Sequence, residues 1–367
     1  LLSIIDTDQG KEMLESTTNL WDVVKQNIKL SKQLKPLQKA QFRETWELAK
    51  AVNPDCIVYH PKAGAAPHIA EKLGIPCVLG TPIPMFVPTS ERPFLVLPEW
   101  KLGGWYNRLS YKIIASLTKL ALGGYVKDFR RHIALAPLKK FDLLKTGDGA
   151  DIPVLHAYSE AVLFRPTDWP DTAYVTGYWF LDDESDWTPP ADLVNFLQAG
   201  EPPVYIGFGS MAGRHPQQLA KLVIEALEIA GVRGIIATGW GGLNADKLPD
   251  FIFKIDSAPH EWLFPRMAAV VHHGGAGTTG AGLRAGKPSV IVPFFGDQPF
   301  WAITVDSLGA GPKPVPKKKL TAVKLAAAIT EAVTNAEMQI KAQATKTKIS
   351  QEDGVANAVA IIESLTP

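Results

Sequence analysis

A chain of 367 residues is too long for one typical hydrophobic core, so we expect two domains. Lys and Arg number 38 against 37 Asp and Glu, a balance that excludes the positive field of a nucleic-acid-binding protein. Two cysteines, Cys56 and Cys77, give no disulfide framework, and no run approaches the ~20 apolar residues of a membrane span. Since the sequence also shows no export signal, we expect a cytoplasmic protein.

The first half of the chain alternates helical and strand-like patterns. Residues 10–51 carry apolar side chains at helical spacing, which predicts two or three helices broken at Pro36. Beyond them, a helix between two strand-like runs forms a β-α-β unit, which implies a parallel sheet that two later runs extend. The strands are expected at 56–59, 76–79, 154–157 and 174–180, with the helix at 66–73.

A proline-rich, aromatic segment at 81–106 lies just beyond the second of these strands. Irregular segments with large apolar side chains at this place in an α/β fold build binding sites. We therefore expect Met85, Phe86 and Trp105 to contact an apolar ligand, and a packed surface loop is the alternative.

The next helix is predicted from 106 to about 125 and carries an apolar stripe. Leu109, Ile113, Ile114 and Leu117 recur there at helical spacing. We expect this stripe to face the core of the first domain rather than a membrane.

The acidic, proline-containing stretch 181–190 is typical of an interdomain linker. It separates predicted domains at 1–180 and 191–348, and the final residues 349–367 are expected to form a helix that packs back on the first domain. The linker also offers carboxylates to a divalent metal, but no histidine or glycine turn organises them, so a solvated linker is the simpler interpretation. These residues are Asp182, Asp183, Glu184 and Asp186.

The second half repeats strand and helix, which predicts a doubly wound sheet with ligands at the carboxyl ends of its strands. Its most informative stretch, 269–301, reads as strand, loop, helix, strand and loop. Glycines let a backbone approach a ligand closely, and a helix opening at Thr278 or Thr279 would aim free N–H groups at an anion. We interpret this stretch as a phosphate-binding site.

A rival interpretation comes from Gly275, Gly277 and Gly280, which form the G-x-G-x-x-G of a dinucleotide-binding fingerprint. Asp297 follows near the distance at which such a fingerprint places its acidic residue. In a Rossmann domain, however, this motif follows the first strand, whereas here at least three strands precede it. The sequence therefore disfavours a nicotinamide or flavin site.

Polar and aromatic residues follow each predicted strand of this sheet, and in a parallel sheet they all lie at one edge. A nucleotide sugar would use an aromatic and backbone groups for its base, hydroxyls and a helix terminus for its diphosphate, and a carboxylate with an amide for its sugar. Individually, Ser210 and Asp297 are also explained as helix caps and Trp240 as a core residue. The set comprises Gly209, Ser210, Trp240, Ser257, Ala258, His260, His273, Gly275, Gly277, Thr278, Thr279, Asp297 and Gln298.

Motifs in both halves resemble the sterol 3-beta-glucosyltransferases and their bacterial relatives, which are inverting, nucleotide-sugar-dependent glycosyltransferases of the GT-B type. DWP at 168–170, TGYWF at 176–180 and APHEWLFPR at 258–266 are most typical of the sterol branch. The histidine and glycine loop at 272–286 is shared with antibiotic glycosyltransferases. The resemblance implies an α/β fold of two facing Rossmann-like parallel-sheet domains, with the first strand of the N-terminal one expected upstream of Leu1.

The resemblance also implies roles for the residues. The donor, most often UDP-glucose, would be held mainly by the second domain without a metal or other cofactor, and an apolar alcohol such as a sterol would bind in the first domain near Met85, Phe86 and Trp105. The diphosphate would contact Ser210, His273, Gly275, Gly277, Thr278 and Thr279. The hexose would contact Asp297 and Gln298, and the uridine would contact Trp240, Ser257, Ala258 and His260.

The implied reaction is attack of an acceptor hydroxyl on the anomeric carbon from the face opposite the diphosphate. His273 and the helix N-terminus near Thr278 would stabilise the negative charge that the leaving group gathers. The family's leading candidate for the base lies in a G-T-R-G-D-type loop expected upstream of Leu1, and His60 is the substitute or partner among the residues present. We expect no nucleic-acid partner, and a transient peripheral contact with a membrane surface is compatible with an apolar acceptor.

Two alternatives stay open at this point. A glycosyltransferase acting on a macrolide, a peptide or another secondary metabolite would use the same donor site. A non-catalytic sugar-nucleotide or lipid-binding protein would bind the same ligands without turnover.

Overall fold

The computed structural model describes residues 20–181, 187–209, 216–237 and 248–366. The chain divides into two compact units, and each contains its own parallel sheet. The first unit is formed chiefly by residues up to 179 together with 353–366, and the second unit contains the described residues of 180–352.

One long helix, α1 (Leu20–Val52), opens the described chain. The expected break at Pro36 is wrong, because the helix runs through this residue. A proline inside a helix removes one hydrogen bond, and packing of the following turns outweighs this cost. Phe42, in those turns, is buried and meets Phe129 edge to face, with ring centroids 5.3 Å apart.

The first sheet contains four parallel strands, which are β1 (Ile57–Tyr59), β2 (Cys77–Thr81), β3 (Val154–His156) and β4 (Ala173–Val175). They lie in the order β1-β2-β3-β4, and Leu79 of β2 pairs with Tyr59 on one side and Val154 on the other. Helix α2 (Ala66–Leu73) connects β1 to β2 at the predicted residues. The last strand ends at Val175, not at Phe180 as expected, because Gly177 turns the chain with a φ of 97°.

Helix α3 (Gly104–His132) is longer than predicted and packs against α1. The expectation that its apolar stripe faces the core is wrong, since Leu109, Ile113 and Leu117 are 41%, 44% and 45% exposed. The inward face carries other residues, including Phe129. Periodicity shows that a helix has an apolar face, but it does not show which of two such faces meets the core.

The second sheet contains β5 (Val204–Gly207), β6 (Gly234–Ala237), β7 (Ile252–Ile255), β8 (Val270–His272) and β9 (Ser289–Ile291). These strands are parallel and lie in the order β7-β6-β5-β8-β9, which is the doubly wound arrangement expected for this half. Fully buried strand residues such as Val204 and Val271 form its core with the helices that cover it. The helices are α4 (Ala191–Gln198), α5 (Pro216–Ala230), α6 (His260–Leu263), α7 (Ala276–Ala285), α8 (Gln298–Ser307), α9 (Ala322–Thr334) and α10 (Ala336–Ile349).

The last helix, α11 (Gly354–Leu365), belongs to the first unit although it ends the described chain. Ala358 packs against Val78 and Leu155 of the first sheet. The side-chain amide of Asn357 donates a hydrogen bond to the carbonyl of Thr176 at 2.9 Å, so this helix is also held at the end of β4.

Candidate functional site

The strand order of the second unit reverses between β5 and β8, and ligands of open α/β sheets bind beyond the strand ends at such a point. Gly207 pairs with His272, which pairs with Ile291, so three strands end at one level. Gly209 follows β5 with a φ of 55°, and a Cβ there would lie 3.7 Å from the ring of His273. The predicted residues Gly209 and His273 are therefore neighbours.

Helix α7 starts directly beyond β8. It begins at Ala276, earlier than the predicted opening at Thr278 or Thr279, and its N-cap residue Gly275 has no side chain to satisfy the first N–H groups. The N–H of Thr279 donates to the Gly275 carbonyl at 2.9 Å. The N–H groups that precede Thr279 in this turn have no intrahelical acceptor, so the helix presents donors and its positive dipole end to an anion.

The residues of this first turn differ in what they offer a ligand. A Cβ on Gly275 would lie 2.7 Å from Nε2 of His273, so glycine keeps room for that ring. No atom of the described residues lies within 4 Å of the Cβ position of Gly277, so they leave space in front of the helix. Thr279 is fully buried and Thr278 is half-buried, so Thr278 has the more accessible hydroxyl of the predicted pair.

Gly274 makes the turn between β8 and α7, although the sequence analysis did not single it out. Its φ is 90°, and a Cβ there would lie 2.7 Å from Cγ2 of Ile291 and 3.1 Å from the carbonyl of Gln298. Both the backbone conformation and the close packing therefore require glycine. The signal was present in the sequence as the Gly274-Gly275 pair after the histidines.

The two histidines of the loop have different tasks. His272 is fully buried, and its Nδ1 accepts a hydrogen bond from the N–H of Gly274 at 3.1 Å. Burial lowers the pKa of His272 to about 3, so it is neutral and holds the turn. His273 is half-buried, and burial also lowers its pKa, so at pH 7 a neutral imidazole faces the start of α7.

Asp297 and Gln298 stand where the loop after β9 enters α8. The Gln298 side chain is 5% exposed, and its Oε1 accepts hydrogen bonds from the N–H groups of Phe294 at 2.8 Å and Phe295 at 3.2 Å. Oδ2 of Asp297 accepts from Nε1 of Trp301 at 3.1 Å, and its side chain makes no helix-cap hydrogen bond. Asp297 therefore occupies the N-cap position of α8, as the cap explanation expected, but its carboxylate is oriented by an indole rather than by the first N–H groups of the helix.

The residues predicted around a uridine lie at the end of β7. Ser257 is exposed and Ala258 is half-buried in the loop that leads to α6. His260 stacks on Phe264 with centroids 4.2 Å apart and lies edge-on to Tyr205. Its imidazole is therefore part of an aromatic cluster, where burial lowers its pKa.

Some predicted site residues lie outside the described residues, namely Ser210, Trp240 and the acidic residues of 182–186. Within the described ranges, no group of three or more His, Cys, Asp and Glu side chains is close enough to hold a metal ion.

His60 follows β1 in the first unit and is exposed. Its Nδ1 accepts a hydrogen bond from the N–H of Lys62 at 3.2 Å. Partial burial and the charge of Lys62 lower its pKa, so the ring is neutral at pH 7. Because Nδ1 is the acceptor in this contact, the ring proton lies on Nε2, and the ring nitrogen that can accept a proton is the one bound by Lys62.

An apolar cavity lies beside β1 and β2 in the first unit. Phe86 lines it and has a φ of 73°, which is rare for a bulky residue and marks a constrained backbone. Tyr59 also lines it, is 7% exposed, and its hydroxyl has no hydrogen-bond partner among the described residues. Met85 and Trp105, the other residues predicted to contact an acceptor, do not line this cavity, and Trp105 is 64% exposed.

Asp168, which the sequence analysis gave no role, anchors the segment 81–106. Its carboxylate accepts hydrogen bonds from Oγ1 of Thr89 at 2.6 Å, the N–H of Ser90 at 2.7 Å and Nη2 of Arg108 at 2.8 Å. Burial raises the pKa of Asp168, but these donors outweigh it and hold the pKa well below its usual range. The DWP motif thus fixes the segment that carries Phe86.

Comparison with known proteins identifies relatives of both halves. Residues 235–363 match the family described as erythromycin biosynthesis protein CIII-like, C-terminal domain. The chain is 42% identical over 307 residues, 83% of its length, to a sterol 3-beta-glucosyltransferase of Arabidopsis thaliana. It is 39% identical over 320 residues, 84% of its length, to one of Aspergillus terreus. The chain is a homologue of the sterol 3-beta-glucosyltransferases.

The resemblance drawn from the motifs is therefore confirmed. The chain spans 47% of the Arabidopsis sterol 3-beta-glucosyltransferase and 22% of the Aspergillus one. Another Arabidopsis sterol 3-beta-glucosyltransferase is 36% identical over 92% of this chain, which covers 55% of that protein.

Solved structures of glycosyltransferases share the fold of this chain. The calicheamicin glycosyltransferase CalG4 matches with a TM-score of 0.66 at 17% identity, covering 94% of this chain and 83% of that one. VinC in complex with DTDP matches with a TM-score of 0.65 at 17% identity, covering 96% and 83%. Identities this low show only the fold, which is GT-B, so the predicted fold class is confirmed.

Proposed function

We propose that this sterol 3-beta-glucosyltransferase homologue transfers glucose from UDP-glucose to the hydroxyl of a sterol or a similar apolar polycyclic alcohol, with inversion at the anomeric carbon. The observation that carries the proposal is 36–42% identity, over most of the chain, to proteins named sterol 3-beta-glucosyltransferases. The geometry at the strand ends of the second unit and the cavity of the first unit support it.

The donor diphosphate is proposed to bind at the start of α7. The first-turn N–H groups, the neutral His273 and the hydroxyl of Thr278 supply hydrogen-bond donors, and Gly277 leaves room for close approach. These groups stabilise anionic oxygens without a metal ion or other cofactor. Asp297, with its carboxylate held by Trp301, is proposed to accept from hexose hydroxyls, and the side-chain NH2 group of Gln298 is proposed to donate to them.

The proposed reaction breaks the bond between the anomeric carbon and the diphosphate oxygen, whose electron pair leaves with UDP. The acceptor oxygen forms a new bond to that carbon from the opposite face, and its proton passes to a base. His60 is the proposed base or its partner among the residues present, acting through Nδ1. Negative charge on the leaving oxygen grows during the reaction, so the donors at α7 contribute more to the transition state than to the bound substrate.

The acceptor is proposed to occupy the apolar cavity of the first unit. Its walls are mainly aliphatic and aromatic, as an apolar alcohol requires, and the hydroxyl of Tyr59, which has no partner among the described residues, is a polar group available to an acceptor oxygen. Phe86 is proposed to contact the ring system of the acceptor directly. Met85 is proposed to support the segment 81–106 behind Phe86, and Trp105 is proposed to contact the acceptor only while the acceptor enters the cavity.

The test is product analysis with UDP-glucose and a 3β-hydroxysterol in detergent. The proposal expects one equivalent of UDP for each sterol glucoside, β-configured at the new bond, and loss of product in Asp297→Ala. UDP release without a glucoside, or an α-configured product, contradicts it. A protein that binds UDP-glucose and sterol without turnover would instead be the non-catalytic alternative.

A secondary metabolite is the second candidate acceptor, because the C-terminal residues match a family named after erythromycin biosynthesis. Parallel assays with a macrolide and a sterol decide between them by relative kcat/KM. We also propose transient contact with a membrane surface, where sterols reside. In the part of the chain that the structure describes, no helix combines the length and apolar character needed to cross a bilayer.

A further inference from the structure

Helix α3 presents an apolar face that nothing in the described part of the first unit covers. Trp105, Leu109, Ile113, Leu117 and Leu120 are 64%, 41%, 44%, 45% and 81% exposed. Their spacing of three and four residues places them on one side of the helix, and we call this set the α3 apolar face. Exposed apolar surface this continuous marks an interaction site on a monomer.

The charge around the α3 apolar face is mainly positive, because Asp128, the acidic residue of α3, lies near its C-terminal end and pairs with Lys39 at 3.3 Å. Lys101, Lys112, Lys119 and Lys127 are exposed on or beside the helix, and no Asp or Glu occurs from residue 100 to residue 127. Indoles occur at the N-terminal end, where Trp100 is also 59% exposed. A helix with a lysine-bearing polar side and a tryptophan-containing apolar side is typical of one that lies in a membrane interface.

We propose that α3 docks on an anionic lipid bilayer, with the α3 apolar face inserted among the acyl chains and headgroups and the lysines against the lipid phosphates. The charge decides between this partner and a second copy of the chain. Two copies paired through this face would bring their lysines together, and Asp128 of α3 is already paired with Lys39, whereas an anionic bilayer complements the lysines.

The other side of α3 links this docking to the acceptor cavity. The cavity that Phe86 lines is also lined by Thr118, Leu122 and Val126 of α3. These residues follow the exposed positions along the helix or lie between them. One helix therefore separates the proposed bilayer surface from the proposed acceptor site. The conclusion that docking delivers a bilayer-resident acceptor rests on the proposed function, but the docking itself does not.

The test is flotation of the purified chain with vesicles of phosphatidylcholine, with or without phosphatidylserine. Wild type is expected to float with the mixed vesicles, to bind pure phosphatidylcholine at least tenfold more weakly, and to be released by salt. Ile113→Asp/Leu117→Asp is expected to reduce binding to mixed vesicles by at least tenfold. Lys112→Glu/Lys119→Glu is expected to abolish the preference for phosphatidylserine.

A matched control places the same charges on exposed apolar residues of the second unit. Val323→Asp/Ile340→Asp changes side chains that are 65% and 67% exposed, and it should leave vesicle binding at the wild-type level. Circular dichroism and thermal melting check that every variant folds. Fluorescence quenching by bromine-labelled lipids should report Trp100 and Trp105 at the interface.

Three outcomes overturn the docking proposal. They are failure of wild type to float with mixed vesicles, unchanged binding of Ile113→Asp/Leu117→Asp, and a wild-type dimer that this variant converts to a monomer. The proposed function is judged separately, by glucosylation of a sterol in detergent without vesicles. If the chain glucosylates a sterol in detergent but does not bind vesicles, only the docking proposal is overturned. If it binds vesicles but glucosylates no sterol, only the proposed function is overturned.

Discussion

The strand ends of the second unit and the apolar region of the first unit are built by different means. In the second unit, paired strands, the buried His272 and the glycine turn at Gly274 fix where a helix start and an imidazole lie. In the first unit, a cavity wall carries a Tyr59 hydroxyl that has no hydrogen-bond partner among the described residues, and an unusual backbone conformation at Phe86. A charged diphosphate requires several donors at set positions, whereas an apolar alcohol requires mainly a complementary shape and a polar contact for its hydroxyl.

The largest expected effect is the loss of kcat that follows removal of the His273 imidazole in the second unit. His273→Ala should lower kcat by about 10²–10³-fold, because it removes a donor to the charge that develops on the leaving group. His273→Gln keeps an N–H donor and should recover part of this loss. Steady-state kinetics with UDP-glucose measures both, and a kcat for the folded alanine variant within a fewfold of wild type would contradict the assignment.

The second prediction separates stability from donor binding at Gly277. Gly277→Ala should raise the free energy of unfolding by up to ~1 kcal/mol, because alanine favours the helix and its Cβ meets no atom of the described residues within 4 Å. The same Cβ enters the proposed diphosphate site, so donor affinity should fall on the order of tenfold.

Gly124→Ala is the matched control for this substitution. Gly124 lies in α3, and no atom in the part of the chain that the structure describes lies within 4 Å of its Cβ position, so the variant should gain stability without any change in donor affinity. Calorimetry and thermal melting on both variants provide the comparison. Equal effects on donor affinity would show that Gly277 does not face the diphosphate.

The third prediction concerns the anchor of the acceptor segment. Asp168→Asn should cost about 1–3 kcal/mol of unfolding free energy at pH 7, because an amide cannot accept from all the donors around it. The pKa of Asp168 is lowered in the folded state, so its contribution is present above pH ~4 and is lost as the pH falls further. Denaturant melts at pH 7 and pH 3 should therefore show a larger difference between variant and wild type at pH 7. A difference that grows toward low pH would refute this role.

The smallest effect is expected at the unpaired hydroxyl of the cavity. Tyr59→Phe should raise the acceptor KM several-fold and leave donor affinity unchanged, because it removes the one polar contact proposed for the acceptor there. Tyr111→Phe is the control, since the Tyr111 hydroxyl is also buried without a partner in the described structure but lies outside the cavity lining. A change in acceptor KM for both variants, or for neither, would remove Tyr59 from the acceptor site.

The comparison also explains what the sequence could and could not predict. Alternating strands and helices predicted both parallel sheets and brought Gly209 and His273 to one edge, because strand ends in a parallel sheet share an edge. The predicted break at Pro36 was wrong because packing of the following turns outweighs the cost of a proline inside the helix. The prediction that the α3 stripe faces the core was wrong because a local pattern does not show which helix face packs against the core. The anchor at Asp168 was missed because its partner Thr89 is 79 residues away in the chain.

The most direct test of the central claim is a calorimetric titration of UDP-glucose into wild type, His273→Ala and Asp297→Ala, with no acceptor present. The claim is that the strand ends of the second unit hold a nucleotide sugar through these two side chains. Saturable binding to wild type with at least tenfold weaker binding to each variant is the predicted result. Absence of binding to folded wild type, or equal affinity in all three proteins, would contradict the account.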